Sequence, residues 1–425
     1  MFLIKSNTNC VENKNKILYL FTAQFPYGVA NETFLETEIL YLSKAFRKVY
    51  IIPLSKSGYL RQVPTNVLVK DWVIDCSNSK TKRFFSLLKN PILVSKLIFS
   101  EIKDKGFAKT MSNLYTLFQY AAYQLPVSKQ LIHNFKSVED TSNCILYSYW
   151  FCEYPLAIIV ANKRTINAPF VARAHRYDLY DEEHKVGIPF RMWKIKNTEK
   201  IFLISKHGIE YLKRKTPDNY HHKYQISYLG VEEGKPIYTN AEKKERLIVS
   251  CSRVVDFKRV DMIPDLLGKL KYNIRWVHFG DGDDFEKVKR KAELLPDNIK
   301  IEFRGNVSNT EIYNFYSNNY VDLFISSSSS EGLPVSMMEA QSFGIPIVSF
   351  PVGGVTEIVV EKETGFLLNN NFTINQNINI LEEALNFEFD RKKIISYFMS
   401  NFCAKNNYEN FVSIMQAIKE KSISK

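Results

Sequence analysis

The stretch Val321-Asp322-Leu323-Phe324-Ile325-Ser326-Ser327-Ser328-Ser329-Ser330-Glu331-Gly332-Leu333-Pro334-Val335-Ser336-Met337-Met338-Glu339-Ala340, followed by Gly344-Ile345-Pro346-Ile347-Val348-Ser349-Phe350, reads as strand, small-residue loop, helix and strand. Such a β-α-β unit belongs in a parallel sheet, and its loop and helix start offer unpaired backbone N–H groups to an anion. Pro334 suits the first helical turn, where its missing donor costs nothing. Treated as helical, Glu331 and Glu339 lie roughly 12 Å and about 80° apart. Their carboxylates then run along one side and hold two ends of a long ligand, rather than sharing a proton.

The chain has 425 residues, enough for two domains or three. Its 45% apolar and 24% charged residues are ordinary for a soluble folded protein. No run approaches the roughly 18 apolar residues of a membrane span, and the start, Met1-Phe2-Leu3-Ile4-Lys5, is too short a core for a signal peptide. Six cysteines without a C-x-x-C pair argue against a zinc site and for a reducing, cytoplasmic setting. The net charge of +12 is uneven: residues 1–240 hold 34 basic and 20 acidic residues (+14), residues 241–425 hold 23 and 25 (−2). An anionic partner is therefore expected at the N-terminal half.

Strand–helix alternation runs through both halves. Lys16 to Phe21, Val49 to Pro53, Cys144 to Tyr147, Phe170 to Ala174 and Ile201 to Ser205 read as strands, with Asn31 as N-cap of a helix to Phe46. After a polar linker, residues 229–245, come Leu247 to Cys251, Ile274 to Phe279 and Ile299 to Phe303, separated by helical patterns. Terminal helices are expected from Leu381 to Met399 and from Tyr408 to Lys419. The pattern predicts an α/β protein of two Rossmann-like domains, 1–228 and 229–404, facing each other across a cleft. Lys80 to Gln124 interrupts the alternation: phenylalanines and leucines alternate with bases between Lys80 and Lys109. It reads either as helices packed on the sheet with lysines in water, or as a face for an anionic membrane. No nucleic-acid-binding motif accompanies it.

Loops after the strands carry the chemistry. Arg253 and Lys258, five apart, can neutralise a diphosphate. Asp281 and Asp283 match a D-x-D metal pattern, but read more simply as a Gly-Asp turn with Asp283 or Asp284 capping the helix from Phe285. Ser308 or Asn309 can cap the next helix, leaving the backbone of Asn306 and Val307 free for a flat polar edge such as a nucleobase. In the first half, His175 follows a strand with Asp178 nearby, and Gly28 lets backbone approach a ligand closely.

Together these residues resemble the retaining glycosyltransferases of family four, which have the GT-B fold. The resemblance is most specific at Glu331-Gly332-Leu333-Pro334 through Glu339, the family's E-x₇-E element, with Arg253, Lys258, Gly280-Asp281-Gly282 and His175. Phe25-Pro26-Tyr27-Gly28…Glu32-Thr33-Phe34-Leu35-Glu36 and the stretch around His175 look like the branch that builds colanic acid, capsules and other bacterial surface polysaccharides. The resemblance implies that Glu331 contacts the donor sugar, Glu339 the ribose, Arg253 and Lys258 the diphosphate, and Asn306-Val307 the base. Gly332 and Leu333 would offer N–H groups, and His175 would touch the sugar near the reacting carbon. By the same resemblance the C-terminal helix, 405–425, would return to the first domain. Neither metal nor other cofactor is expected. The sequence departs from the pattern at Arg259, where a glycine often follows the lysine, and at Leu229-Gly230-Val231-Glu232.

The expected function is hexosyl transfer, with retention, from a nucleotide-diphosphate sugar to a lipid-linked surface glycan on the cytoplasmic side of the membrane. A sugar-nucleotide epimerase of the same fold, or a non-catalytic binding scaffold, are the alternatives. No nucleic-acid partner is expected.

Overall fold

A computed structural model describes residues 15–28, 32–73, 80–138, 143–152, 154–236, 245–371 and 373–418. Asn31, part of the 229–245 linker and Lys419 lie outside them. The chain divides into two compact units. The first takes the described residues of Met1–Leu203, Tyr211–Ile226 and Glu409–Lys425, the second Ile204–Glu210 and Ser227–Tyr408.

The first unit holds seven parallel strands: β1 (Ile17–Thr22), β2 (Lys48–Pro53), β3 (Val67–Val69), β4 (Cys144–Ser148), β5 (Phe170–Ala174), β6 (Lys200–Leu203) and β7 (Tyr224–Ile226), in the order β3-β2-β1-β4-β5-β6-β7. Every residue of β1, β4 and β5 is buried, as strands covered on both faces must be. Helix Phe34–Ala45 presents Leu35, Ile39 and Leu42 to the sheet at spacings of four and three, one helical face. The C-terminal helix Ala404–Ala417 packs Phe411, Val412 and Met415 into the same core. Its first turn, through Tyr408, belongs to the second unit.

The second unit holds β8 (Arg246–Cys251), β9 (Ile274–Phe279), β10 (Ile299–Phe303), β11 (Leu323–Ser326), β12 (Ile347–Ser349) and β13 (Gly365–Leu367), parallel and ordered β10-β9-β8-β11-β12-β13. Counted within the unit this is 3-2-1-4-5-6, the dinucleotide-binding order. Ile248, Trp276, Ile325, Val348 and Phe366 form its core with Leu266 and Leu381 from covering helices.

Strand positions follow the sequence pattern within three residues, but β3, β7 and β13 were not expected. At three residues each, they are too short for hydrophobic periodicity to register. The expected helix Leu381–Met399 is two helices, Ile374–Asn386 and Arg391–Asn401. Asp390 ends any continuity by accepting the N–H groups of Lys392 and Lys393 as the second helix's cap. The 80–124 interruption is four helices: Lys80–Leu88, Pro91–Lys105, Phe107–Ser112 and Leu114–Lys136.

A buried polar cluster locks β4 and β5 to the helix Phe34–Ala45. Arg173 Nε donates to the Tyr147 hydroxyl at 2.8 Å, which donates to Glu38 Oε1 at 3.0 Å. Arg173 Nη2 lies 3.1 Å from Glu38 Oε2, and the guanidinium covers Phe411 at 4.4 Å. Removing one partner of a buried pair leaves the other uncompensated. Arg173→Met is therefore expected to destabilise the first unit by about 3–5 kcal/mol, measured by urea unfolding followed by tryptophan fluorescence. A loss below about 1 kcal/mol would mean that Glu38 is neutral and the cluster contributes little.

Candidate functional site

Strand order in the second unit reverses between β8 and β11, where open parallel sheets bind ligands beyond the strands' carboxyl ends. The loops leaving these two strands are cross-linked. The Ser329 N–H and hydroxyl both donate to the Phe257 carbonyl, at 2.8 and 3.0 Å, and the Ser327 hydroxyl donates to the Arg259 carbonyl at 2.7 Å. Arg259 Nε returns a bond to the Ser327 carbonyl at 2.8 Å. The serine run is therefore a hydrogen-bonded seam. Arg259 sits at φ 47°, the left-handed region, which explains why glycine suits this position. Its guanidinium, on the Ser327 and Ser328 carbonyls and over Phe350 at 4.7 Å, offsets that strain.

On this seam Lys258 Nζ donates to Glu331 Oε1 at 2.5 Å, both side chains largely buried. Arg253 is exposed. Glu331 lies in the loop: the helix runs Val335–Ser342, with Pro334 in extended conformation just before it. The helical estimate of the Glu331–Glu339 separation therefore does not apply, and Pro334 stands outside the first turn because its ψ of 112° is not helical. No side chain caps this helix, and among the described residues no hydrogen bond engages the N–H groups of Gly332 or Leu333. The N–H groups expected to receive an anion therefore stand unengaged among the described residues.

Glu339, inside the helix, is buried and accepts from Asn309 Nδ2 at 2.5 Å. Burial, only partly offset by that bond, pushes its carboxyl from 4.5 up to about 7. The role of Asn309 as a carboxylate partner was not read from the sequence, which offered it only as a cap. Ser308 is the cap, accepting from the Glu311 N–H at 3.2 Å. Just before it, Asn306 is exposed and Val307 half-buried, and their backbone groups make no hydrogen bond among the described residues. Asp281 accepts the N–H of Gly282 within its own turn. Asp284 stands at the N-cap position of the helix from Phe285 but its side chain accepts no N–H, a correction to its expected capping role, since its φ of −94° and ψ of 9° do not aim the carboxylate along the axis.

In the first unit, His175 follows β5 and is buried against Trp150 and Tyr149, with ring centres 4.5 and 4.8 Å away. Neither ring nitrogen has a hydrogen-bond partner. Burial first, then the Arg173 charge, hold its pKa well below the usual range, so the ring is neutral. Asp178 braces the segment through the N–H groups of His175 and Phe151, each at 2.5 Å. Gly28 takes φ 73° and donates its N–H to the Tyr59 carbonyl at 3.0 Å, so that donor is committed within the unit. The neighbouring motif has a structural reason. Glu32 accepts the N–H groups of Ala23, Gln24 and Phe25 and the Trp150 indole N–H. Glu36 holds Arg61, whose guanidinium binds the Gly28 and Tyr27 carbonyls.

Residues 235–400 match the family model described as glycosyl transferases group 1, which is less than half of the chain. An uncharacterized glycosyltransferase of Methanocaldococcus jannaschii is 24% identical over 286 residues, 67% of this chain and 77% of that protein. Two solved structures align over nearly the whole chain. The lipopolysaccharide outer core galactosyltransferase WaaB, in its apo form, has a TM-score of 0.67 at 15% identity, covering 94% of this chain and 99% of its own. HepE of Anabaena, in complex with UDP, has a TM-score of 0.62 at 13% identity, covering 95% and 100%. At these identities the likeness shows the fold: two parallel-sheet α/β units of the GT-B type.

Glu339 favours its neutral form, so its contribution to stability is present below pH 4.5 and is lost as pH rises to about 7. Glu339→Gln lacks this titration. Its unfolding free energy relative to the parent is expected to improve by up to about 3 kcal/mol between pH 4.5 and 8, measured by urea unfolding at both. A constant difference across that range would show that Glu339 ionises normally.

Proposed function

We propose that the chain, whose residues 235–400 match the group 1 glycosyl transferases, is a retaining glycosyltransferase. It would move a hexosyl unit from a nucleotide-diphosphate sugar to a lipid-linked surface-polysaccharide acceptor, on the cytoplasmic side of the membrane. The carrying observation is the cross-linked pair of loops at the reversal of strand order. There Lys258 is held by Glu331 beside the open N–H groups of Gly332 and Leu333. Family likeness supports a nucleotide donor, since HepE has been solved with UDP and with UDP-glucose. WaaB, by its description a lipopolysaccharide galactosyltransferase, supports a lipid-linked glycan acceptor.

The chemistry must stabilise a departing diphosphate and an oxocarbenium-like sugar, which is chiefly electrostatic work. We assign the diphosphate to Arg253, Lys258 and the helix start after Pro334, without a metal. Asn306-Val307 would meet the base, Glu339 the ribose and Glu331 a sugar hydroxyl. The neutral, unpartnered imidazole of His175 suits a hydrogen bond to a sugar hydroxyl. A front-side displacement, with the leaving phosphate assisting acceptor deprotonation, requires no protein nucleophile.

A thermal-shift panel of nucleoside diphosphates is expected to yield at least one stabilising ligand. Titration calorimetry with that ligand should show Arg253→Ala combined with Lys258→Gln weakening binding about a hundredfold or more, since each charge-assisted bond contributes about 1.5–3 kcal/mol. Unchanged affinity in a folded double variant would remove the diphosphate assignment.

A further inference from the structure

The helices between Lys80 and Lys136 carry an exposed face that the transfer reading does not use. Among the described residues, seven of the fourteen exposed large apolar or aromatic side chains fall between Phe84 and Tyr115. On helix Pro91–Lys105 the exposed positions Ile92, Lys96, Phe99 and Lys103 follow at spacings of four, three and four. At 100° per residue they fall within about 60° of arc. The face therefore alternates apolar and cationic groups, and Lys103 lies over the Phe99 ring at 4.7 Å. Ile92 is 73% exposed and Phe99 59%. The preceding helix adds Phe84, Phe85 and Leu88, each more than half exposed, with Lys89 beside them.

The opposite side of helix Pro91–Lys105 is firmly held. Leu97 lies in a core cluster with Leu117, Leu156 and Phe190. Glu101 accepts the Phe190 N–H at 3.0 Å and pairs with Lys105 at 2.7 Å. Lys105 in turn donates to the Val186 and Ile188 carbonyls. The exposed face is therefore presented by a braced helix. Charge selects its partner. The only acidic residues between positions 80 and 124 are Glu101 and Asp104. Glu101 is buried in its ion pair, and burial with the nearby Glu101 charge raises the Asp104 pKa. Every exposed charged side chain described there is basic: Lys89, Lys96, Lys103 and Lys109.

We propose that this face docks on an anionic lipid bilayer, with Phe84, Leu88, Ile92 and Phe99 entering the headgroup–acyl boundary and Lys89, Lys96 and Lys103 meeting lipid phosphates. Apolar side chains interleaved with lysines fit the layered polarity of that interface, and apolar burial and charge attraction add. A second copy of the chain would set like charges against each other. Aliphatic Leu88 and Ile92 offer no plane for stacking a nucleobase. The inference is independent of the transfer reading, because it concerns adsorption alone.

Flotation of the full chain with vesicles of phosphatidylglycerol and phosphatidylethanolamine, against vesicles of phosphatidylcholine, tests it. Binding to the anionic vesicles at low salt, weakened by salt, is expected. Lys96→Ala with Lys103→Ala should lower the partition coefficient about ten- to thirtyfold, at about 1 kcal/mol per lysine. Ile92→Ser with Phe99→Ser should lower it at least tenfold. These side chains are exposed, so both variants should melt with the parent, which separates lost docking from lost folding. No flotation with anionic vesicles would overturn the proposal, as would equal binding to both vesicle types. So would concentration-dependent self-association, or binding to single-stranded nucleic acid, that the same substitutions abolish while flotation persists.

Discussion

A β-carbon on Gly353 would lie 1.8 Å from the Glu331 carbonyl oxygen, a distance no side chain survives. Gly353 sits at φ 54°, and Gly354 donates its N–H to the Gly332 carbonyl at 2.9 Å. The loop after β12 thus rests backbone on backbone against the loop after β11. On the other flank Gly280 makes the same approach to the Ser252 carbonyl, where a β-carbon would lie 1.9 Å away. The carboxyl edge of the second sheet is built from loops in direct main-chain contact. Glu331 is fixed by that contact on one side and by Lys258 on the other, so its carboxylate is placed before any ligand arrives. Preplaced charge of this kind needs no reorganisation when a ligand's charge develops beside it.

The first unit solves the same problem with buried carboxylates. A carboxylate removed from water is tolerable when hydrogen bonds replace the lost hydration. Glu32 takes four donors, three of them consecutive backbone N–H groups. Asp178 takes two. These acids are structural pins for loops at the strand ends. Glu339 and His175 differ. The difference is in donors and not in pKa, since burial raises both Asp178 and Glu339 to about 7: Glu339 has one side-chain donor, Asn309, and neither ring nitrogen of His175 has a hydrogen-bond partner. Hydrogen-bonding capacity left unfilled in a buried group is costly, and a ligand hydroxyl is the group that would fill it.

How much of this was legible follows from what each feature depends on. Long buried strands such as Ile17–Thr22 announce themselves by nearly continuous apolar runs, and their order along the chain implied parallel sheets. The helix boundary at Ser308 was readable because capping is local. Contacts between distant segments were not. The bond from Asn309 to Glu339 joins residues 30 apart, and the seam from Ser327 to Arg259 spans 68. No periodicity encodes either. The five serines read as a small-residue loop, whereas the hydroxyls of Ser327 and Ser329 tie it to the loop after β8. Arg259, a departure from the family's glycine, keeps the left-handed backbone and adds a guanidinium to that tie.

The pairing of Lys258 with Glu331 constrains any ligand that the site accepts. Separating two largely buried opposite charges leaves each uncompensated, at a cost of several kcal/mol. An incoming anion that merely displaced Glu331 from Lys258 would have to offset that cost first. The ammonium has three donors, however, and Glu331 uses one through Oε1. An anion can therefore join the pair without breaking it. The carboxylate, with its other oxygen free among the described contacts, can accept from a hydroxyl on the same ligand. One molecule carrying both an anion and hydroxyls would engage the two residues as a unit. Substitutions at Lys258 and Glu331 must then be non-additive, because each residue fixes the position of the other.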